Sequence, residues 1–222
     1  MQRSLPAALS ALALTGCGLV DSSSSEPVIE RGKGGDTATC DPAVYPCGPY
    51  GYQPGRVIED LSLVARVDGN GDGRTDATDP VGTIALSRYF QDKNIYALVM
   101  TGSAEWCGPC QAEQPGLRAL YESYQQAGGH LAILETIVQD ANYRPSTITV
   151  ADRWKARFQL PFDVAADPSS VLSPYYDINA FPMNMVVRTS DMKIVWQSNG
   201  GGPESEKAMR RQIDAIMKNP QP

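Results

Sequence analysis

Cys107 and Cys110 stand two residues apart in the run Trp106-Cys107-Gly108-Pro109-Cys110. Thiols at that spacing can close into a small disulfide ring and reopen, so the chemistry on offer is thiol–disulfide exchange. Ile95 to Met100 is a short apolar run, the pattern of a buried central strand. The segment from about Gly108 to Gln126 reads as a helix, kinked at Pro115. A helix beginning there sets Cys107 at its N-terminus, where unpaired amides and the helix dipole favour the thiolate, the reactive form. Cys110, one turn in, is less exposed and acts second. Glu113 lies a further turn along on the same face. It is either an acid serving the thiols or a surface glutamate.

The 222 residues, 42% hydrophobic and 20% charged, suit one globular domain with additional segments. A net charge of -6 and no Lys/Arg cluster exclude nucleic acid as a partner. After the first residues no apolar run is long enough to span a bilayer. The chain has five cysteines, an odd number. Cys40 and Cys47 lie close together in a Pro/Gly-rich stretch and are expected to form a structural disulfide. Two free thiols or a second redox pair are the other readings, and the prolines and wider spacing favour a passive staple. With Cys107 and Cys110 paired, Cys17 is left over.

Met1 to Gly16 holds one basic residue, Arg3, and then a small apolar stretch from Leu5 to Leu14, as in a short secretory signal. It ends in Leu14-Thr15-Gly16-Cys17, which resembles a bacterial lipobox. The resemblance implies a diacylglycerol on the Cys17 thiol, cleavage before it and acylation of the new amino terminus. Those acyl chains would anchor the chain to a membrane at roughly 0.8 kcal/mol per buried methylene. Gly18 rather than Asp after the cysteine points, by the same resemblance, to the outer membrane. A plain signal peptide with a chance cysteine is the alternative. Asp21 to Thr37 is Ser, Gly and charge, a flexible tether. The expected organisation is a signal peptide over 1–16, a lipidated tether over 17–38, a stapled lead-in over 39–55 and the main domain over 56–218.

Leu61 to Val67 alternates apolar and other residues and reads as a strand. The acidic run Asp68 to Asp79 follows. Its side-chain oxygens fall at positions one, three, five, nine and twelve, with Gly73 at six, a spacing that resembles EF-hand and dockerin calcium loops. The resemblance implies a structural Ca2+ held by Asp68, Asn70, Asp72, Asp79, the Arg74 carbonyl and Asp76. Asp at position twelve and a strand before the loop depart from the EF-hand. The alternative is an acidic, Gly-rich hairpin turn.

Leu131 to Val138 reads as another strand. Thr149 to Phe158 reads as a helix with Thr149 and Asp152 as a capping pair, and Ser170 to Tyr176 as a shorter helix. Strands over Met183 to Val187 and Lys193 to Gln197 precede a last helix from about Glu204 to Met217. With Trp-Cys-Gly-Pro-Cys after the run Ile95 to Met100, and Phe181-Pro182 before the strand Met183 to Val187, the chain resembles thioredoxin. Asp60-Leu61-Ser62-Leu63, Glu113 and Pro115 extend the resemblance to the membrane-tethered TlpA/ResA-type proteins, from about Gly55 to Met217. It implies an α/β thioredoxin fold, a central mixed β-sheet flanked by helices, with an N-terminal strand extension. It also implies a cis Pro182 lying against the dithiol, Trp106 as a lid beside the site, and Glu113 handling the thiols' protons. Phe181 stands where the family usually has Thr or Val. Counting back from Trp106, thioredoxin's buried Asp position is Thr101, so an Asp-based proton route is not expected.

The expected function is an extracytoplasmic thiol–disulfide oxidoreductase reducing protein disulfides, with Cys107 attacking and Cys110 resolving. It needs no cofactor for catalysis, but it needs electrons from a membrane thiol donor. The same dithiol run backwards is an oxidase. A peroxiredoxin would carry Thr three residues before the reactive cysteine, and Ala104 stands there. A copper-delivery protein would want wider cysteine spacing and a ligand histidine, whereas His130 follows Gly128-Gly129 at a strand edge. A lipid-anchored interaction module with a structural Cys107–Cys110 bond is the non-enzymatic reading.

Overall fold

The computed structural model describes residues 40–177 and 179–220. Signal peptide, Cys17 and tether lie outside them. The strands are β1 (Ser62–Arg66), β2 (Val81–Ala85), β3 (Ala97–Ala104), β4 (Leu131–Gln139), β5 (Asp163–Ala166), β6 (Met183–Arg188) and β7 (Lys193–Asn199). The helices are α1 (Ser87–Gln91), α2 (Gly108–Gln126), α3 (Ile148–Phe158) and α4 (Pro203–Lys218), with one 3-10 turn at Ser173–Tyr175. The strands form one mixed sheet in the order β2-β1-β5-β4-β3-β6-β7. β3, β4 and β5 run parallel, while the β1–β2 hairpin and the β6–β7 hairpin flank them antiparallel. This is the thioredoxin-like α/β fold, with the expected strand extension built as a hairpin whose connection is the acidic loop.

Alternation along the central strands sorts the side chains onto two faces. Val99, Ile133, Val164 and Val186 face α2, α3 and α4, where Leu117, Leu120, Trp154, Met209 and Ile213 complete one core. Leu98, Met100, Leu134, Met185 and Val187 face the other way, toward Tyr89 of α1. The stapled lead-in packs there too. The Cys40–Cys47 disulfide closes a short loop whose Tyr45 is buried and donates through its hydroxyl to the Ile58 carbonyl (2.9 Å). Ile58 and Arg56 hydrogen-bond Met192 and Ile194, fastening the lead-in to β7.

Several elements differ from the sequence-based expectation. β3 runs on through Thr101-Gly102-Ser103-Ala104, small and polar residues held as strand by neighbours on both sides. β2, α1 and the four-residue β5 were not anticipated; each is too short to show a period. α3 starts at Ile148 after Thr147 without a side-chain cap, and Asp152 instead takes a bidentate bond from Arg66 of β1 (3.1 and 2.7 Å). The expected helix over Ser170 to Tyr176 is only the 3-10 turn, because Asp167 accepts the amides of Val171 and Leu172 (2.8 and 3.2 Å).

One row across the sheet breaks the apolar pattern. Asn184, Thr101 and Glu135 are cross-strand neighbours on β6, β3 and β4, and all three are fully buried beneath α2. Burial pushes the Glu135 carboxyl up from 4.5 to about 8, with the Glu113 charge adding to the effect. A carboxyl raised on folding holds its proton in the native state at a pH where the unfolded chain has released it. Stability is therefore greatest below the unfolded value and is lost as pH rises through about 8. With both disulfides intact, urea unfolding should show stability falling between pH 5 and pH 8 by a few kcal/mol, at about 1.4 kcal/mol per pKa unit. The Glu135→Gln variant should flatten most of that slope; an equal slope in both proteins would contradict the assignment.

Candidate active site

β3 delivers the chain to Ala104, whose carbonyl accepts the Cys107 amide (3.0 Å). Cys107 then takes the N-cap position of α2 in extended conformation, and its Sγ accepts the Cys110 amide (3.1 Å). That amide is one of the unpaired donors at a helix start, so the position that ends the turn also favours negative charge on sulfur. The Cys107 and Cys110 sulfurs are joined, with Cα atoms 5.3 Å apart. Cys107 is 3% exposed and Cys110 is wholly buried, while Gly108 and Pro109 face solvent. An incoming sulfur meets Cys107 first.

Aromatic rings rim this entrance. Trp106 donates to Gln139 Oε1 (2.9 Å), stacks on Tyr143 at 5.0 Å and meets the edge of Phe181 at 6.0 Å. Tyr143 is 65% exposed. Its loop is held by Asp140, which accepts the Arg144 amide and guanidinium (both 2.9 Å). The Phe181–Pro182 peptide is cis. Pro182 lies close to Gly201 and Glu113: a Cβ on Gly201 would come within 3.2 Å of the proline ring and 3.1 Å of Glu113 Oε1. Glycine at 201 is thus what lets the turn before α4 approach the cis proline. A groove of about 470 Å³ opens here, lined by Pro109, Glu113, Gly116, Gly202 and Glu206.

Glu113 is half-buried, and its Oε1 accepts the Asn184 side-chain amide (2.8 Å). Burial raises its carboxyl to about 7, with the Asn184 bond opposing and Glu206 adding to the rise. Thr101, at thioredoxin's Asp position, has a carboxyl beside it. Its hydroxyl donates to Glu135 Oε2 (3.2 Å), so the neighbouring strand supplies a buried carboxyl at the same level of the sheet. The Gln114 side-chain amide of α2 reaches both Glu135 Oε1 (3.3 Å) and the Cys110 carbonyl (3.0 Å). Sequence reasoning missed Glu135 although a signal was present: it falls on the inward phase of Leu131, Ile133 and Ile137, where every other side chain is apolar.

The remaining candidate residues lie elsewhere. Cys40 and Cys47 are joined on the sheet's far face side of the chain, in the lead-in. In the acidic loop, Asp68 accepts the amides of Gly71 and Gly73 (2.6 and 2.8 Å), Asn70 that of Asp72 (2.9 Å), and Asp72 that of Arg74 (2.8 Å). Asp76 accepts the Thr78 amide (2.7 Å), and the buried Asp79 those of Gly69 and Asp76 (3.2 and 2.9 Å). The loop is closed by its own backbone donors. Among the described residues no three Asp, Glu, His or Cys side chains gather as a metal site. His130 stacks on Tyr96 (4.2 Å), with Nδ1 2.7 Å from the Asn94 carbonyl, just before the first residue of β4. Among the described residues no helix is long and apolar enough to cross a membrane.

Comparison with known proteins agrees with this architecture. The thiol-disulfide oxidoreductase ResA of Bacillus cereus is 28% identical over 90 residues, 40% of this chain and 47% of the relative, so the similarity spans about half that protein's length. Among solved structures, the protein assigned as thiol:disulfide interchange protein DsbE of Chlorobium tepidum superposes with a TM-score of 0.55 at 20% identity, covering 73% of this chain and 96% of that one. A secreted thiol-disulfide isomerase of Corynebacterium glutamicum gives 0.52 at 14% identity, covering 73% and 95%. At those identities the superpositions establish the fold alone. Residues 69–196 match the AhpC/TSA family, a stretch that runs from the acidic loop into β7 and encloses the dithiol; with more than half of its length so matched, the chain belongs to the AhpC/TSA family.

Proposed function

We propose that the chain is an extracytoplasmic thiol–disulfide oxidoreductase that reduces protein disulfides through Cys107 and Cys110. The observation that carries this reading is the position of Cys107. Its sulfur caps a helix beside the solvent-facing Gly108 and Pro109, receives the Cys110 amide and is joined to a second, wholly buried sulfur. The reduced Cys107 thiolate attacks a substrate disulfide, and the first substrate sulfur leaves with the electron pair. Cys110 then loses its proton and attacks Cys107. The Cys107–Cys110 bond forms, the Cys107–substrate bond breaks, and the second substrate sulfur departs reduced. Glu113, facing the groove with a carboxyl near neutrality, exchanges protons on the substrate side. The aromatic rim of Trp106, Tyr143 and Phe181 offers the apolar surface against which a polypeptide around a disulfide would lie. Each cycle leaves the protein oxidised, so a thiol carrier of the membrane must restore the dithiol.

Peroxide reduction, the other chemistry the family name suggests, fits less well. Ala104 stands three residues before Cys107, buried and without a hydroxyl. The direction of exchange follows from the potential of the pair. A value near about -270 mV makes it a reductant and one near about -120 mV an oxidant. In an insulin-reduction assay driven by dithiothreitol, Cys107→Ser should abolish turnover. Cys110→Ser should instead trap a mixed disulfide on Cys107, visible by mass spectrometry after acid quench. A pair that resists reduction and exchange would leave an interaction module with a structural disulfide.

Location outside the cytoplasm, on a lipid anchor, is part of the same proposal and rests on the Leu14-Thr15-Gly16-Cys17 sequence. Expressed in a bacterial host, the protein should partition into the detergent phase of a Triton X-114 separation, and the Cys17→Ala variant should move to the aqueous phase. Equal partitioning would remove the anchor from the reading.

A further inference from the structure

Tyr143 stands in the connection from β4 to α3 with a φ of 62°, in the left-handed region where a bulky side chain is rare and strained. Its surroundings impose that conformation. The Tyr143 amide donates to the Asp140 carbonyl (3.1 Å), and the Asp140 amide to the Arg144 carbonyl (2.8 Å). The Asp140 carboxylate accepts the amides of Asn142 and Arg144 (2.8 and 2.9 Å). Glu105, gripped by Arg153 of α3 (2.6 and 2.7 Å), accepts the Ala141 amide (3.0 Å). Glycine or asparagine would take this backbone with little strain, and a polar residue would suit its exposure. The chain instead holds an aromatic ring there, 65% exposed. That ring lies 5.0 Å from the Trp106 ring, Trp106 lies 6.0 Å from Phe181, and Phe181 lies 5.4 Å from Tyr176. Three separate connections therefore build one row of rings past the residue that precedes Cys107, and Tyr143 is its exposed end. The Trp106 N–H is taken by Gln139, so the face that the row turns outward is apolar.

Resting on the oxidoreductase reading above, we infer that Tyr143 sets substrate specificity, selecting polypeptides with an aromatic or large aliphatic side chain next to the cystine that Cys107 attacks. An extended chain advances about 3.3–3.6 Å per residue. The 5.0 Å between the Trp106 and Tyr143 rings is thus spanned by one to two residues of a bound polypeptide. A side chain at that remove from the attacked cysteine covers the exposed ring and adds an aromatic or aliphatic contact to the complex. Oxidised glutathione brings no apolar side chain to it. Large apolar residues beside a cystine belong to protein cores, and a folded protein hides them. The preferred substrates are therefore unfolded or partly folded chains whose core cystines have come to the surface. The chemistry is unchanged: the Cys107–substrate bond forms as the substrate's own S–S bond breaks, and the released sulfur takes the electron pair. The strained backbone persists because the ring it presents contributes to binding rather than to the core.

The test compares two synthetic peptides, each closed by one disulfide and identical except for Phe or Ser on either side of each cysteine. The pre-reduced full-length protein is mixed with excess peptide, quenched with acid at intervals and weighed by mass spectrometry. Wild type should reach half its limiting rate at about tenfold lower concentration of the Phe peptide than of the Ser peptide. The two limiting rates should agree within about threefold, because the ring affects binding and not the sulfur chemistry. In Tyr143→Asn and Tyr143→Ala the preference should shrink to about twofold, while Tyr143→Phe should keep it. Both peptides meet the same protein, so any general damage cancels in the ratio. Tyr143→Asn, which suits the left-handed backbone, should melt within about 2 °C of wild type or above it. A larger fall would assign the ring to the fold and overturn the inference. So would a wild type that treats the two peptides alike, or a preference undiminished in Tyr143→Asn. A wild-type protein that reacts with neither peptide nor with oxidised glutathione would instead overturn the oxidoreductase reading beneath it.

Discussion

The passage of β3 into α2 sets the terms for the whole site. A parallel strand in mid-sheet must hand its chain to a helix that crosses back over one face, and the first turn of that helix has amides with no carbonyl to meet. Cys107 caps that turn, its sulfur accepting the Cys110 amide, and Cys110 follows it beneath the helix, wholly buried. The loop ahead of β6 and the turn before α4 converge on the same spot because β6 lies next to β3. Neither cis Pro182 nor Gly201 would stand beside Glu113 of α2 under another strand order.

The core beneath α2 is not wholly apolar. The row Asn184, Thr101 and Glu135 costs desolvation, which the hydrogen bonds from Thr101 and Gln114 offset only in part. Two carboxyls of raised proton affinity result, one opening to the groove and one sealed inside.

The far face of the sheet shows why the stapled lead-in is part of the domain. β1, β3, β4 and β6 leave an apolar surface there that the short α1 cannot cover alone. Tyr45, Val57 and Ile58 fill it, and the Cys40–Cys47 link restricts a segment with no regular structure to the conformation that does so. The β1–β2 hairpin extends the sheet on the side of β5, and Arg66 of β1 fastens it to α3 through Asp152.

By itself the sequence determined the dithiol, the helix that follows it and the order of the main strands, because these rest on local signals: two cysteines at a fixed spacing, apolar runs of strand length and a proline ahead of one of them. Glu113 and the staple were legible for the same reason. The short elements β2, α1 and β5 were not, since four or five residues show no period and their conformation is imposed by neighbours. The capping role read for Asp152 failed because a guanidinium from a distant strand competed for it. Only the tertiary structure decided that Glu135 joins Thr101 and Gln114 beneath α2. Thr101, Glu135 and Asn184 are separated by 34 and 49 positions along the chain, and what joins them is strand register, which no local pattern encodes.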